Sequence, residues 1–194
     1  YQSAESLIHH PRAVKDSFDV CLLAHLRSVK DPLLAARAAR QLPADSRVRV
    51  LHAGEGLDPE LVSAAKHETD TNSRYQWLGP LAPAEARQLL ASSRLLVVCS
   101  RSEGGANVVS EAIACGVPIL STRIDGSVGL LDEDYPGFFE VGDASGLASQ
   151  LRRAEKDEGF LCDLRKRCEQ FAPSFTGLAE RNAWSRLLRE LGLG

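Results

Sequence analysis

Two carboxylates, Glu103 and Glu111, lie eight positions apart around a pair of glycines in the segment SRSEGGANVVSEAIACGVP, residues 100–118. An apolar run ends just before this segment, and the residues after Gly104 and Gly105 have the composition of a helix. A strand, a glycine turn and a helix N-terminus together favour an anion, because exposed amides and the positive end of the helix dipole face it. The flanking carboxylates can accept hydrogen bonds from the hydroxyls of ribose or of a sugar. Phosphate and hydroxyls in one ligand indicate a nucleotide-sugar.

The overall composition and net charge exclude some classes of binding partner. The chain has 194 residues, of which 44% are hydrophobic and 25% charged, as expected of one or at most two globular domains with a real core. Its net charge of −3 gives no global field that would attract nucleic acid. No run of 18 apolar residues and no secretory signal are present, so we expect a cytoplasmic protein without a transmembrane segment.

The cysteines and histidines do not predict a metal site. The five cysteines are odd in number and show no CxxC spacing, which favours buried thiols over disulfides or metal ligands. Four of the five histidines, at positions 9, 10, 52 and 67, have no ligand spacing to Asp, Glu or Cys. We therefore expect neither a metal nor another cofactor.

The chain begins at Tyr1 and contains no methionine, which indicates a fragment or a trimmed chain whose N-terminal part is missing. Residues 1–16 are weakly periodic and interrupted by His9-His10-Pro11, so we interpret them as a linker or as the tail of a preceding domain. Residues 17–172 then form one predicted α/β domain. Residues 173–194 are predicted to hold a C-terminal helix, which we expect to pack toward the missing N-terminal domain.

Within the predicted domain, apolar runs alternate with helical patterns. The predicted strands are 18–23, 48–52, 75–78, 95–99, 117–121 and 137–141, and the predicted helices are 31–42, 58–68, 83–91, 104–115, 147–168 and 177–191. Strands that alternate with helices predict a doubly wound parallel sheet, a Rossmann-like α/β fold. The first helix is expected to start with Asp31 as its N-cap and Pro32 in its first turn.

In such a sheet, ligands bind beyond the carboxyl ends of the strands, where the strand order reverses. If the order is 3-2-1-4-5-6, that crevice lies between the first and fourth strands. The loop after the first strand carries His25, Arg27 and Lys30, and the loop after the fourth carries Glu103 and the glycines. Basic groups and an anion-binding helix would then face one crevice.

Each of these features also has a structural alternative. Arg27 and Lys30 could be ordinary surface cations, the glycines only a tight turn, Glu111 an exposed carboxylate, and His25 a structural hydrogen-bonding group. The Gly54-Glu55-Gly56 pair after the second strand lacks a third glycine, so we reject it as a dinucleotide fingerprint.

The Glu103-to-Glu111 stretch resembles the E-x7-E motif of retaining, GT-B-fold glycosyltransferases of the family 4 type. Gly116-Val117-Pro118 and Val141-Gly142-Asp143 are similar to that family as well, and the resemblance spans roughly residues 18–156. It implies the C-terminal, donor-binding half of a GT-B fold, with the acceptor brought by an N-terminal domain of the same protein. A UDP-sugar and a small-molecule acceptor would then be the partners.

The resemblance also implies roles for individual residues. Lys30 would neutralise the departing diphosphate and Glu103 would bind donor-sugar hydroxyls, so these two are the candidate catalytic residues. Glu111 would bind the ribose. The remaining candidate binding residues are His25, Arg27, Trp77 and Leu78, with the last two against the base, and the segment Gly104, Gly105, Ala106, Asn107 and Val108 facing the sugar and diphosphate.

One departure from the family pattern concerns the end of the first strand. The family usually shows Gly-Arg-Leu there, whereas this chain has Ala24-His25-Leu26. Either His25 has another role or Arg27 takes over the phosphate. Together with the strings RYQWLGPL and DEDYPGFFEVGD, the segment Ala24-His25-Leu26 resembles the sequences of the selenosugar synthase subfamily. This resemblance implies selenophosphate as the acceptor. An ordinary hexosyltransferase with a hydroxyl acceptor and a non-catalytic nucleotide-sugar-binding module are the alternatives.

Overall fold

Six short apolar runs form one parallel sheet in the computed structural model, which describes residues 17–172. The strands are β1 (Phe18–Leu23), β2 (Val48–Ala53), β3 (Tyr75–Trp77), β4 (Leu95–Val98), β5 (Ile119–Thr122) and β6 (Phe138–Phe139). They lie in the order β3-β2-β1-β4-β5-β6, and every neighbouring pair is parallel. Nearly all strand residues are buried, as expected when helices cover both faces of a sheet. The predicted Rossmann-like fold is confirmed, and the strand order is the one assumed for locating the crevice.

Within residues 17–172, seven helices connect and cover the strands. They are α1 (Leu34–Arg40), α2 (Pro59–Thr71), α3 (Pro83–Ser92), α4 (Asn107–Ala114), α5 (Asp125–Leu131), α6 (Ala144–Lys156) and α7 (Glu158–Phe171). Three of them begin with an aspartate cap, whose side-chain oxygen accepts a hydrogen bond from a free backbone amide of the first turn. Asp58 accepts from Glu60 and Leu61 in this way, and Asp143 and Asp157 do the same for α6 and α7.

Several elements differ from the sequence-based expectation. Helix α4 begins at Asn107 and not at Gly104, so the two glycines precede the helix instead of opening it, and β6 is shorter than the predicted 137–141. Helix α5 was not predicted, since its glycines give it a low helix propensity. The single helix predicted over 147–168 is two helices, separated by Asp157, which ends α6 and caps α7. The first helix begins at Leu34 rather than at Asp31, and Asp31 instead ends a short 3-10 turn, Ser28–Lys30, in a left-handed conformation with φ of 38°.

The core lies on both sides of the sheet. The buried face of α1 consists mostly of alanines, whose small side chains allow the helix to approach the strands closely. Four of the five cysteines are buried and free, as predicted, whereas Cys162 is exposed on α7. Burial raises the pKa of the Cys168 thiol to about 11, so this thiol is neutral at physiological pH.

None of the helices in the described range is long and apolar enough to cross a bilayer. The predicted linker at 1–16 and the predicted helix within 173–194 lie outside the described residues.

Candidate functional site

The strand order reverses between β1 and β4, which lie side by side in the middle of the sheet. The loops that follow them therefore flank the position at which doubly wound folds bind their ligands. A backbone hydrogen bond joins the two loops, because the amide of Arg101 donates to the carbonyl of Val29 over 2.8 Å. The predicted crevice is thus bordered by the two segments that carry most of the candidate residues.

Lys30 and Glu103, the two candidate catalytic residues, form an ion pair across this crevice. The distance from Lys30 Nζ to Glu103 Oε1 is 2.7 Å, and the side chains are 29% and 11% exposed. The Ser100 hydroxyl donates to the same carboxylate oxygen, and the Thr122 hydroxyl donates to the Ser100 carbonyl over 2.6 Å. Glu103 is therefore held in place from the loop after β4, which β5 supports in turn, and Lys30 already has an anionic partner.

The backbone between Glu103 and α4 carries unsatisfied donors. Within residues 17–172, no acceptor is found for the amides of the segment Gly104, Gly105, Ala106, Asn107 and Val108. The residue before α4, Ala106, has no capping side chain. Free amides at the start of a helix are suitable donors for phosphate oxygens.

The two glycines are not explained by the fold. Neither Gly104 nor Gly105 has a positive φ, and a Cβ added at either position would meet no atom within 4 Å. A tight turn that requires glycine is therefore not the reason for their presence. Their missing side chains instead leave the backbone donors open to solvent.

Glu111 lies one turn into α4, four residues after Asn107, so that the two exposed side chains share a face of the helix. Partial loss of solvent raises the pKa of the Glu111 carboxyl, and the positive charge of Arg87 on α3 opposes this rise. No hydrogen bond to its carboxylate is found among the described residues. The carboxylate is therefore a free acceptor close to the start of α4.

His25 and Arg27 lie in the loop after β1, and both are exposed. His25 Nδ1 accepts a hydrogen bond of 3.1 Å from the amide of Glu55, so its other ring nitrogen is the donor. The next residue, Leu26, donates to the Glu55 carbonyl and forms a β-bridge with Gly56. His25 thus links the loops after β1 and β2, while Arg27 has no ion-pair partner within residues 17–172.

Trp77 and Leu78 lie further from the glycine segment than the other candidate residues. Trp77 ends β3 and Leu78 follows it, and β3 lies three strand spacings, about 14 Å, from β4. The Trp77 indole donates to the carbonyl of Gly54 over 3.1 Å. Trp77 therefore supports the loop after β2, and its proposed contact with a base remains a prediction.

Glycine is required at position 54 for a different reason. A Cβ there would lie 1.8 Å from the Ala24 carbonyl oxygen, so the two backbones can only meet without a side chain. Gly54 thus serves the close packing of two loops, in keeping with our rejection of a dinucleotide fingerprint.

Sequence reasoning missed His52, a fully buried histidine at the end of β2. Its Nε2 donates to the Ala24 carbonyl over 2.8 Å, and its Nδ1 accepts from the Tyr75 hydroxyl over 2.6 Å. Burial lowers the pKa of His52 to about 4, so the ring is neutral. It fixes the backbone immediately before His25. A histidine among the apolar residues at the end of β2 was the available signal.

The part of the chain that the structure describes contains no group of three or more His, Cys, Asp or Glu side chains that could hold a metal ion. The two loops and the start of α4 instead carry ammonium and guanidinium groups, carboxylates and a row of free amides. Together they suit an anion that also carries hydroxyls.

The chain is similar to a family of known proteins. The family model described as "Glycosyl transferases group 1" matches residues 5–175. The chain is 30% identical over 185 residues to the D-inositol 3-phosphate glycosyltransferase of Gordonia bronchialis, covering 88% of this chain and 40% of that protein. It is 28% identical over 137 residues to the N-acetyl-alpha-D-glucosaminyl L-malate synthase of Bacillus anthracis, covering 70% and 35%.

Among solved structures, the Anabaena protein Alr3699/HepE, crystallised in complex with UDP-glucose, superposes with a TM-score of 0.75 at 20% identity. The match covers 88% of this chain and 48% of that one, and at this identity it shows a shared fold. The chain thus spans less than half the length of each of these three proteins. Because the family model covers most of its length, the chain belongs to the family of group 1 glycosyl transferases.

Proposed function

We propose that this chain binds the nucleotide-sugar donor of a glycosyltransferase in the crevice between β1 and β4. The observation that carries the proposal is the convergence of the Lys30–Glu103 pair with the unsatisfied amides at the start of α4. The amides and the ammonium are donors for a diphosphate, and the two carboxylates are acceptors for hydroxyls. A sugar nucleotide is the ligand class that presents both.

Within this proposal each residue has a distinct task. Lys30 and the amides of 104–108 stabilise the negative charge that builds on the diphosphate as it leaves the anomeric carbon, which is electrostatic preorganisation. Glu111 accepts the ribose hydroxyls. Glu103, held by Ser100, accepts a hydroxyl of the transferred sugar. These groups provide the charge stabilisation that the departure of UDP requires without a metal ion.

The nucleotide is proposed to be UDP. The Anabaena protein is described in complexes with UDP-glucose, with UDP and glucose, and with UDP, which supports a UDP-sugar donor for this fold. Binding tests start with UDP itself, the part of the ligand that these three complexes share.

Two acceptor classes are proposed for the full-length protein. The string resemblance that includes Ala24-His25-Leu26 supports selenophosphate, with formation of an anomeric carbon–selenium bond and release of UDP. The names of the two curated relatives, a D-inositol 3-phosphate glycosyltransferase and an L-malate synthase, support a hydroxyl acceptor instead. His25, which replaces the arginine usual at that position, is one of the residues that support the selenophosphate proposal.

We further propose that the acceptor is bound by an N-terminal domain of the same protein, to which residues 1–16 lead and toward which the C-terminal segment packs. This arrangement is supported by the coverage of the relatives, since the chain spans less than half of their length. An isolated chain of this kind would act as a nucleotide-sugar-binding module. We expect it to bind UDP yet release no UDP from a UDP-sugar in the presence of either acceptor.

Calorimetric titration of the 194-residue chain with UDP tests the donor proposal. We expect saturable 1:1 binding that survives EDTA and that Lys30→Met weakens. Absence of binding, or equal affinity in Lys30→Met, would contradict it. The acceptor is tested on the full-length protein, by supplying selenophosphate and a set of alcohols in turn with UDP-glucose and measuring released UDP.

A further inference from the structure

Besides the Lys30–Glu103 pair, a second ion pair joins the same two loops. The carboxylate of Asp31, directly after Lys30, lies 2.7 Å from Arg101 Nη2, two residues before Glu103. The Arg101 backbone amide also donates to the Val29 carbonyl. The loops after β1 and β4 are therefore fastened by one side-chain contact and one backbone contact that exclude the two candidate catalytic residues.

Asp31 has an unusual backbone for a residue with a side chain. Its φ of 38° lies in the left-handed region, which aspartate tolerates at a cost that glycine does not pay. It is also buried, with only 9% of its side chain exposed, and Arg101 and Arg37 each approach one carboxylate oxygen. A buried carboxylate in a strained backbone persists only where such contacts hold it.

We infer that Asp31 and Arg101 form a clamp that positions Lys30 against the anion-binding segment, so that both are positioning residues for donor binding. The inference rests on the proposed function. The clamp acts from one loop to the other, because Arg101 belongs to the segment after β4 while Asp31 belongs to the segment after β1. Neither side chain needs to contact the donor for the clamp to act.

Arg37 supplies a matched control. It binds the other oxygen of the same carboxylate, at 3.1 Å, but it lies on α1, so its contact stays within the segment that follows β1. Arg37→Gln and Arg101→Gln each remove one positive charge from a half-exposed side chain paired with Asp31. Only Arg101→Gln removes a side-chain contact between the two loops, while the backbone hydrogen bond from residue 101 to Val29 stays.

The test measures UDP affinity by calorimetry in the full 194-residue chain, with melting temperatures recorded alongside. We expect Arg101→Gln to weaken UDP binding about three- to tenfold, and Arg37→Gln to leave it within twofold. Asp31→Gly relieves the left-handed backbone yet removes the carboxylate, so it should weaken binding as much as Arg101→Gln. The double variant should be no weaker than either single one.

Repeating the comparison in a Lys30→Met background distinguishes positioning of Lys30 from a purely structural role of Arg101. If the clamp acts through Lys30, Arg101→Gln should have no further effect there, because the group it positions is gone. An equal loss of affinity with and without Lys30 overturns the clamp, as does a loss in Arg37→Gln that matches Arg101→Gln. If the wild-type chain binds no UDP, the proposed function fails, and the positioning role fails with it.

Discussion

Replacement of Glu103 by glutamine should make UDP bind more tightly while reducing the advantage of a UDP-sugar over UDP. Lys30 is paired with Glu103 in the ligand-free site, at 2.7 Å, so a diphosphate that binds Lys30 arrives beside an existing negative charge. Two acceptors on one ammonium lie about 4–5 Å apart. Like charges at that separation repel by about 1 kcal/mol in water and about 4 kcal/mol at a surface-like dielectric.

The partial exposure of both side chains places the repulsion toward the lower end of this range. We therefore expect Glu103→Gln to tighten UDP binding by about 1–2 kcal/mol, or about five- to thirtyfold. The variant also replaces a charged acceptor with a neutral one, so the ratio of UDP-glucose affinity to UDP affinity should fall about three- to tenfold. Glutamine retains an oxygen that can accept the Ser100 hydroxyl, which preserves the local geometry.

Calorimetry with UDP and UDP-glucose, at one ionic strength, measures both quantities. Glu60→Gln removes the same charge from an exposed position on α2 and should leave both affinities unchanged. The reasoning is refuted if Glu103→Gln weakens UDP and UDP-glucose by the same factor, since Glu103 would then support the site rather than compete for Lys30.

Three further outcomes are expected. Glu111→Ala should weaken UDP binding by about 1.5–3 kcal/mol. Wild-type affinity for UDP should also fall as the pH is lowered through the raised pKa of Glu111, because only the ionised carboxylate is a full acceptor. Calorimetric titrations at several pH values check both. Gly104→Ala should leave the melting temperature unchanged but weaken UDP, whereas Gly54→Ala should destabilise the fold, since its Cβ would meet the Ala24 carbonyl at 1.8 Å. The folded-state pKa of His52 lies near 4, below the usual 6.5, so protonation of the unfolded chain should destabilise the fold as the pH falls from about 6.5 to about 4. The expected loss of folding free energy is on the order of 3 kcal/mol, and denaturant titrations should show a flatter pH profile in His52→Gln.

Local patterns in the sequence were sufficient to predict the sheet. Apolar runs that alternate with helical segments dictate a parallel sheet, and the order of its strands places the loops with Lys30 and Glu103 side by side. The glycine pair and the helix after it could also be predicted from the sequence, because the free amides at the start of α4 depend only on nearby residues.

Contacts between distant residues could not be predicted in this way. Asp31 before Pro32 has the form of a helix cap, yet its conformation accompanies an ion pair with Arg101, seventy positions away. His52 meets Tyr75 only because β2 and β3 pair in one particular register. Helix α5 has glycines that disfavour it locally, and it forms where Ser127 hydrogen-bonds Ser121 of β5.

The central claim is that the crevice between β1 and β4 holds the diphosphate of a sugar nucleotide. A crystal structure of the chain soaked with UDP tests this directly. We expect the diphosphate oxygens within hydrogen-bonding distance of Lys30 Nζ and of amides in the segment 104–108, with the ribose hydroxyls on Glu111. A diphosphate bound elsewhere, with Lys30 still paired only to Glu103, would contradict the claim.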